Sequence, residues 1–107
     1  MATFRLSRLA EADLIEIGAY TLRAWGEDQA IRYIDGVGTC CHRLADNPQL
    51  GRVCDYIRPG LRRMEHARHV VSCRIEAGGI RISRILHQRM LPERQRLDEG
   101  EPVGSTE

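Results

Sequence analysis

At 107 residues the chain has room for one domain with one modest core, in which roughly two-thirds of the unfolded surface is buried. Its apolar content of 42% and charged content of 29% are those of an ordinary globular protein. No apolar run nears the ~20 residues that span a bilayer, and the N-terminal stretch MATFRLSRLAEAD lacks the continuous apolar segment of a secretory leader, so a cytoplasmic location is expected.

The net charge of +1 hides an uneven distribution. Residues 1–57 hold six arginines and eight acids, residues 58–96 ten arginines and three acids, and residues 97–107 four acids and no base. There is no lysine, which excludes lysine amine chemistry. Arginine instead favours planar, two-point contacts to carboxylate or phosphate. Cys40, Cys41, Cys54 and Cys73 form no CxxC pair. Together with His42 they have the wrong spacing for zinc, so four reduced, mostly buried thiols are expected. No metal and no cofactor are expected.

Thr3 to Leu6 alternates like a short strand, and Ser7 suits a helix N-cap. From residue 8 to about 25 the period turns helical. Ala10, Leu14, Ile17 and Thr21 form one stripe, with Ala12, Ile15, Ala19 and Leu22 in a second beside it. Glu11, Asp13 and Glu16 sit in the first turns, where the helix dipole favours them, and are expected to be solvated. Gly26 breaks this helix. A second follows, with Ala30, Ile34, Val37, Cys41 and Leu44 on one face. Gly36 and Gly38 weaken it by roughly 1 kcal/mol each, and Asn47-Pro48 stops it. The short connection predicts an antiparallel helical hairpin.

Residues 46–60 read as a loop packed by Leu50, Val53 and Ile57. Strands are expected from 61 to 65, from 69 to 76, and from 80 to about 89, with Ala77-Gly78-Gly79 as a hairpin connection. In the last strand, strict alternation puts Ile80, Ile82, Arg84 and Leu86 on one side and Arg81, Ser83, Ile85 and His87 on the other. Residues 92–99 are compatible with one helical turn. The expected fold class is α+β: an N-terminal strand, an antiparallel helical hairpin, then a three-stranded antiparallel run, all in one sheet. Whether the first strand is an edge or a central member is open. One domain over residues 1–97 is expected, with an acidic flexible tail over 98–107.

Several stretches together resemble the ParE branch of the RelE/ParE superfamily, the toxins of bacterial type II toxin–antitoxin systems. These are Leu6-Ser7, Ala10-Glu11-Ala12-Asp13-Leu14, Tyr20-Thr21, Trp25-Gly26 and Gln29-Ala30, followed by RLADNPQLGR, RPGLRR and RILHQRM. The resemblance covers about residues 4 to 97. It implies a RelE-like fold, a growth-inhibiting toxin, a ParD-type antitoxin that neutralises it by direct binding, and DNA gyrase as the usual target. Two departures stand out: Ser72-Cys73 replaces the aromatics usual in the third-strand core, and Leu91 replaces an aspartate common after the HQRM stretch.

Three sets of candidate residues follow. Tyr20, Leu22, Trp25, Tyr33 and Val37 are candidates for antitoxin binding, because the apolar hairpin surface exceeds what one sheet face needs. Arg63, Arg68, Arg84, His87 and Arg89 are candidates for target binding, within the dense arginine set of residues 58–96. Charge reversal at Arg84 and Arg89 is expected to abolish toxicity without unfolding the chain. Sequence-specific nucleic-acid binding is not expected, since no helix-turn-helix or basic helix is present. An mRNA-cleaving toxin of the RelE type is the alternative. It would draw on Glu65, Arg68, Arg84 and His87 as base, acid and phosphate-binding groups, but the C-terminal tyrosine and paired lysines of such sites have no counterpart. A third reading is an inactive relative that binds an antitoxin and harms nothing.

Overall fold

A computed structural model describes residues 3–88. Arg89, the possible helical turn over 92–99 and the acidic tail lie outside the described residues. Strand β1 (Thr3–Leu6) leads into helix α1 (Arg8–Trp25) and helix α2 (Glu27–Asp46). A 3₁₀ turn over Pro48–Leu50 and a two-residue strand β2 (Arg52–Val53) follow, then β3 (Arg62–His66), β4 (His69–Glu76) and β5 (Gly79–His87). The five strands form one sheet in the order β1-β5-β4-β3-β2. The first strand is thus an edge member, parallel to β5, while the remaining neighbours are antiparallel. The short β2, within the stretch expected to be a loop, closes the other edge.

Local chemistry sets the helix ends. The Ser7 hydroxyl accepts the Ala10 N–H at 3.0 Å and caps α1. Gly26 alone joins the helices, with a φ of 93° that a side chain would disfavour. Asn47 ends α2, and its carboxamide accepts the Gln49 N–H to start the 3₁₀ turn. The helical hairpin packs on one face of the sheet. Ala10 and Ile17 of α1 and Val37, Cys41 and Leu44 of α2 meet Val71, Cys73, Ile80, Ile82 and Ile85 in the core. Each fully buried Ile or Leu contributes about 1.5–3 kcal/mol. The first α1 stripe faces this core. The second does not: Ile15 is 69% and Leu22 51% exposed, a surplus apolar surface in line with expectation.

Strict alternation fails in β5. Cys73 pairs with Ile82 but Ser72 pairs with Arg84, so Ser83 is an extra, bulged residue. The bulge returns Ile85 to the core side that Ile80 and Ile82 occupy. It is held from the β1 side, where the Ser7 N–H donates to Ile82 O at 2.9 Å and the Ser7 hydroxyl donates to Ser83 O at 2.8 Å. One serine thereby caps a helix and fixes a bulge. At the other end of β5, Gly79 lies so close to β1 that any Cβ there would overlap the Thr3 carbonyl oxygen.

Candidate functional site

Strand β1 covers β5 only as far as Ile82. Beyond that point the β1-side edge of β5 is met by α1. Asp13 reaches it with both carboxylate oxygens: Oδ2 accepts Arg84 Nε at 2.7 Å and the Ile85 N–H at 2.9 Å, and Oδ1 accepts Arg84 Nη2 at 2.8 Å. The two side chains are only 13% and 11% exposed. Asp13 is therefore not the solvated carboxylate that its place in a first helical turn suggests. It ties α1 to the sheet and fixes the direction of Arg84.

Past this anchor, the diverging α1 and β5 leave a groove with a volume of about 610 Å³. One wall is the later half of α1, with Tyr20, Thr21 and Trp25. Gln29 and Tyr33 of α2 stand beside it, and Arg68, His69, Arg84 and His87 form the sheet side. The Thr21 hydroxyl is turned back onto Ile17 O at 2.7 Å, so it gives the groove a methyl rather than a donor. Tyr20 and Trp25 are 60% and 64% exposed. Large aromatics left this open on a small domain are suited to a partner.

The tip of the sheet gathers three imidazoles around one phenol. The register pairs His66 with His69 and His69 with His87. Tyr33 Oη and His69 Nδ1 share a hydrogen bond of 2.6 Å, and the His69 and His87 rings meet edge to face at 5.4 Å. Burial, then the nearby His87 and His66, holds the His69 pKa below its ordinary value, against a smaller opposing pull from Asp13. Burial pushes the Tyr33 hydroxyl up, partly offset by Arg68. The lowered pKa keeps His69 neutral near pH 7.

The candidates from the sequence divide in an informative way. Tyr20, Trp25 and Tyr33 of the antitoxin set line the groove together with Arg68, Arg84 and His87 of the target set. Leu22 is exposed on α1 but outside the groove, and Val37 is 1% exposed and belongs to the core, which corrects its place as a contact residue. Arg63 is a neighbour of the core residue Met64, so it stands on the opposite face of the sheet. The nuclease set is split in the same manner. Glu65 lies on that opposite face, hydrogen-bonded by Arg52 at 3.2 Å, while Arg68, Arg84 and His87 are in the groove. The four residues are not brought to one phosphodiester. Among the described residues no cluster of His, Cys, Asp and Glu could hold a metal ion, and no helix is long and apolar enough to cross a membrane.

The sequence reading sets Asp13 aside as solvated and passes over His66 and His69. His66 and His69 flank a two-residue turn, Ala67-Arg68, and that spacing was the available signal. It places the two histidines directly opposite each other once the hairpin register is known.

A family model described as the ParE toxin of the type II toxin–antitoxin system parDE matches residues 4–92. The chain belongs to the ParE toxin family. Toxin ParE1 of Mycobacterium tuberculosis is 42% identical over 88 residues, covering 81% of this chain and 90% of the relative. Toxin ParE1 of Caulobacter vibrioides is 37% identical over 92 residues, covering 84% and 93%. A toxin ParE of Escherichia coli is 36% identical over 91 residues, covering 84% and 88%. The fold is that of a chain in the chromosomal ParDE TA system from P. aeruginosa, with a TM-score of 0.68 at 22% identity over 81% of this chain and 96% of that one. The family match spans all the elements that build the groove, from β1 through β5. The α+β fold with a helical hairpin on one five-stranded sheet, read first as a resemblance, is therefore the ParE fold.

Proposed function

We propose that this ParE-family chain is the toxin of a type II toxin–antitoxin pair, that it arrests growth by binding DNA gyrase in the cytoplasm, and that a ParD-type antitoxin silences it by occupying the groove. The observation that carries the reading is the groove itself, where exposed Tyr20 and Trp25 and half-buried Tyr33 face Arg68 and His87 across an open cleft. An amphipathic antitoxin segment would lay apolar side chains on the aromatics and acidic ones against the cations. Arg84 serves this surface as a positioning residue, because its guanidinium is already engaged by Asp13.

The action is non-enzymatic in this reading. A nuclease needs base, acid and a cationic group around one phosphate, and here Glu65 is on the far side of the sheet from His87. Induction of the chain alone is expected to raise DNA-damage signalling and block division, and co-expression of the antitoxin to reverse both. The single tryptophan makes the partner measurable. Trp25 emission should shift to the blue when the antitoxin binds, and Trp25→Ala should weaken binding by about 2 kcal/mol or more, as for an aromatic hot spot. If induction halted translation first, and the purified chain cut RNA in a His87-dependent way, the nuclease reading would replace this one.

A further inference from the structure

The sheet face turned away from the helices is covered, although both described helices pack on the other side. Val71, Cys73, Ile80 and Ile85 point into the core, so their neighbours Val70, Ser72, Arg74, Arg81 and Leu86 stand on the opposite face. There Val70 is only 7%, Ser72 1% and Leu86 2% exposed. Val70 and Leu86 lie directly across from each other on β4 and β5. Arg63 and Arg81 have buried Nε atoms, and Arg74 and Arg81 are engaged rather than free. Arginine stems shield part of such a surface. The described strands place five arginines and two glutamates on this face. Arg5 engages Glu76 at 2.9 Å and Arg52 engages Glu65 at 3.2 Å. A layer that suits this face is apolar at the β5 exit and acidic further along.

We propose that this layer is the chain's own C-terminal segment, residues 89–107, strapped back across β5 and β4 with its apolar start on Val70 and Leu86 and its acidic end on Arg74 and Arg81. Position, sequence and reach agree. The described chain ends at Gln88, two residues past Leu86, where its N–H donates to Arg68 O at 2.8 Å. Met90 and Leu91 come next, and residues 97–107 hold Asp98, Glu99, Glu101 and Glu107 with no base. Arg81 lies back along β5 from Gln88 by roughly 23 Å, at about 3.3 Å per residue. The ten residues from Gln88 to Asp98 can extend over roughly 33 Å, so the acids reach Arg81 with slack. Carboxylates meet guanidinium forks at two points. A tethered segment also acts at an effective concentration on the order of mM, which favours it over dilute acidic molecules in solution. The assignment is separate from the antitoxin groove and from the choice of target.

Paramagnetic NMR on the full chain tests this. The four native thiols are buried, so a nitroxide can be attached through Val103→Cys. It should broaden the amide signals of Arg74 and Arg81 severalfold more than those of Tyr20 and Trp25. Asp98→Asn, Glu99→Gln and Glu101→Gln together should remove most of that difference, as should about 1 M salt, where the screening length falls to about 3 Å. Uniform broadening, broadening strongest at the groove, or broadening that survives loss of the three acids would overturn the assignment. A mixture of nitroxide-bearing chain with isotope-enriched chain lacking the nitroxide should show no broadening. Broadening in that mixture would give the face to the tail of a second copy, and would overturn the proposal in favour of self-association.

Discussion

Asp13 is a polar tie between the two layers of the fold. It neutralises Arg84, accepts a backbone N–H from β5 and sits on α1, so one carboxylate joins a helix to a strand. Removing one partner of a buried pair strands the other charge, at a cost of about 3–5 kcal/mol. Asp13→Ala should lower the unfolding free energy by that amount in urea titration. The same geometry revises the use of Arg84 as a toxicity probe. Reversing its charge would set two carboxylates against each other and unfold the chain, so lost toxicity would say nothing about target contact. Two α2 glycines differ in a testable way. A methyl at Gly38 meets nothing within 4 Å, whereas one at Gly36 would come within 2.9 Å of the His66 ring. Gly38→Ala should stabilise by about 1 kcal/mol, while Gly36→Ala should lose that gain to the clash, both read as shifts in melting temperature.

At the scale of elements, the two helices are legible in the sequence because a core-facing stripe repeats with the helical period and Ser7, Gly26 and Asn47 mark the ends. Strand β4 is legible for the same kind of reason. The last strand is only half legible. Its residues are assigned to β5, but the Ser83 bulge depends on hydrogen bonds from Ser7, 76 residues away, and no local pattern reports them. The histidine cluster is equally a product of register. Its consequence for stability has a definite sign. With the His69 pKa held below its ordinary 6.5, the unfolded chain takes up the proton more readily than the folded one. Stability from this group is therefore present above about pH 6.5 and is lost as the pH falls below it. Tyr33 on α2 shares a hydrogen bond with His69, burial together with His87 on β5 and His66 on β3 disfavours its charged form, and Asp13 on α1 favours it. Urea titrations at about pH 7.5 and pH 5 should show a drop that His69→Gln reduces.

Over the whole molecule, the class of fold is legible because helices and strands fall in separate blocks, and the groove is not, because it exists only where two elements diverge. Tyr20, Trp25 and Tyr33 are visible as aromatics on a hairpin, but nothing in their spacing shows that Arg68 and His87 would stand across from them. Val37, at the same helical period as Tyr33, is core instead. The cysteines are a case where composition suffices. All four are buried and outside any disulfide, and burial, then Cys40 and Cys73, pushes the Cys41 thiol up to about 12. Thiols in that state are poor nucleophiles. The native chain should leave a disulfide reagent unreacted and release four equivalents only when denatured.

The parallel seating of β1 against β5 has a consequence for how the toxin comes into being. These two strands lie at opposite ends of the described chain, and closing so long a loop is entropically costly and slow. On the ribosome, the opening strand must wait, unzipped, until almost every later residue has been translated. The cleft that the antitoxin would seize has β5 as its floor, so it cannot exist on a half-made polypeptide. Under the proposed function, neutralisation at this cleft would act on chains in which β5 has already been made and paired.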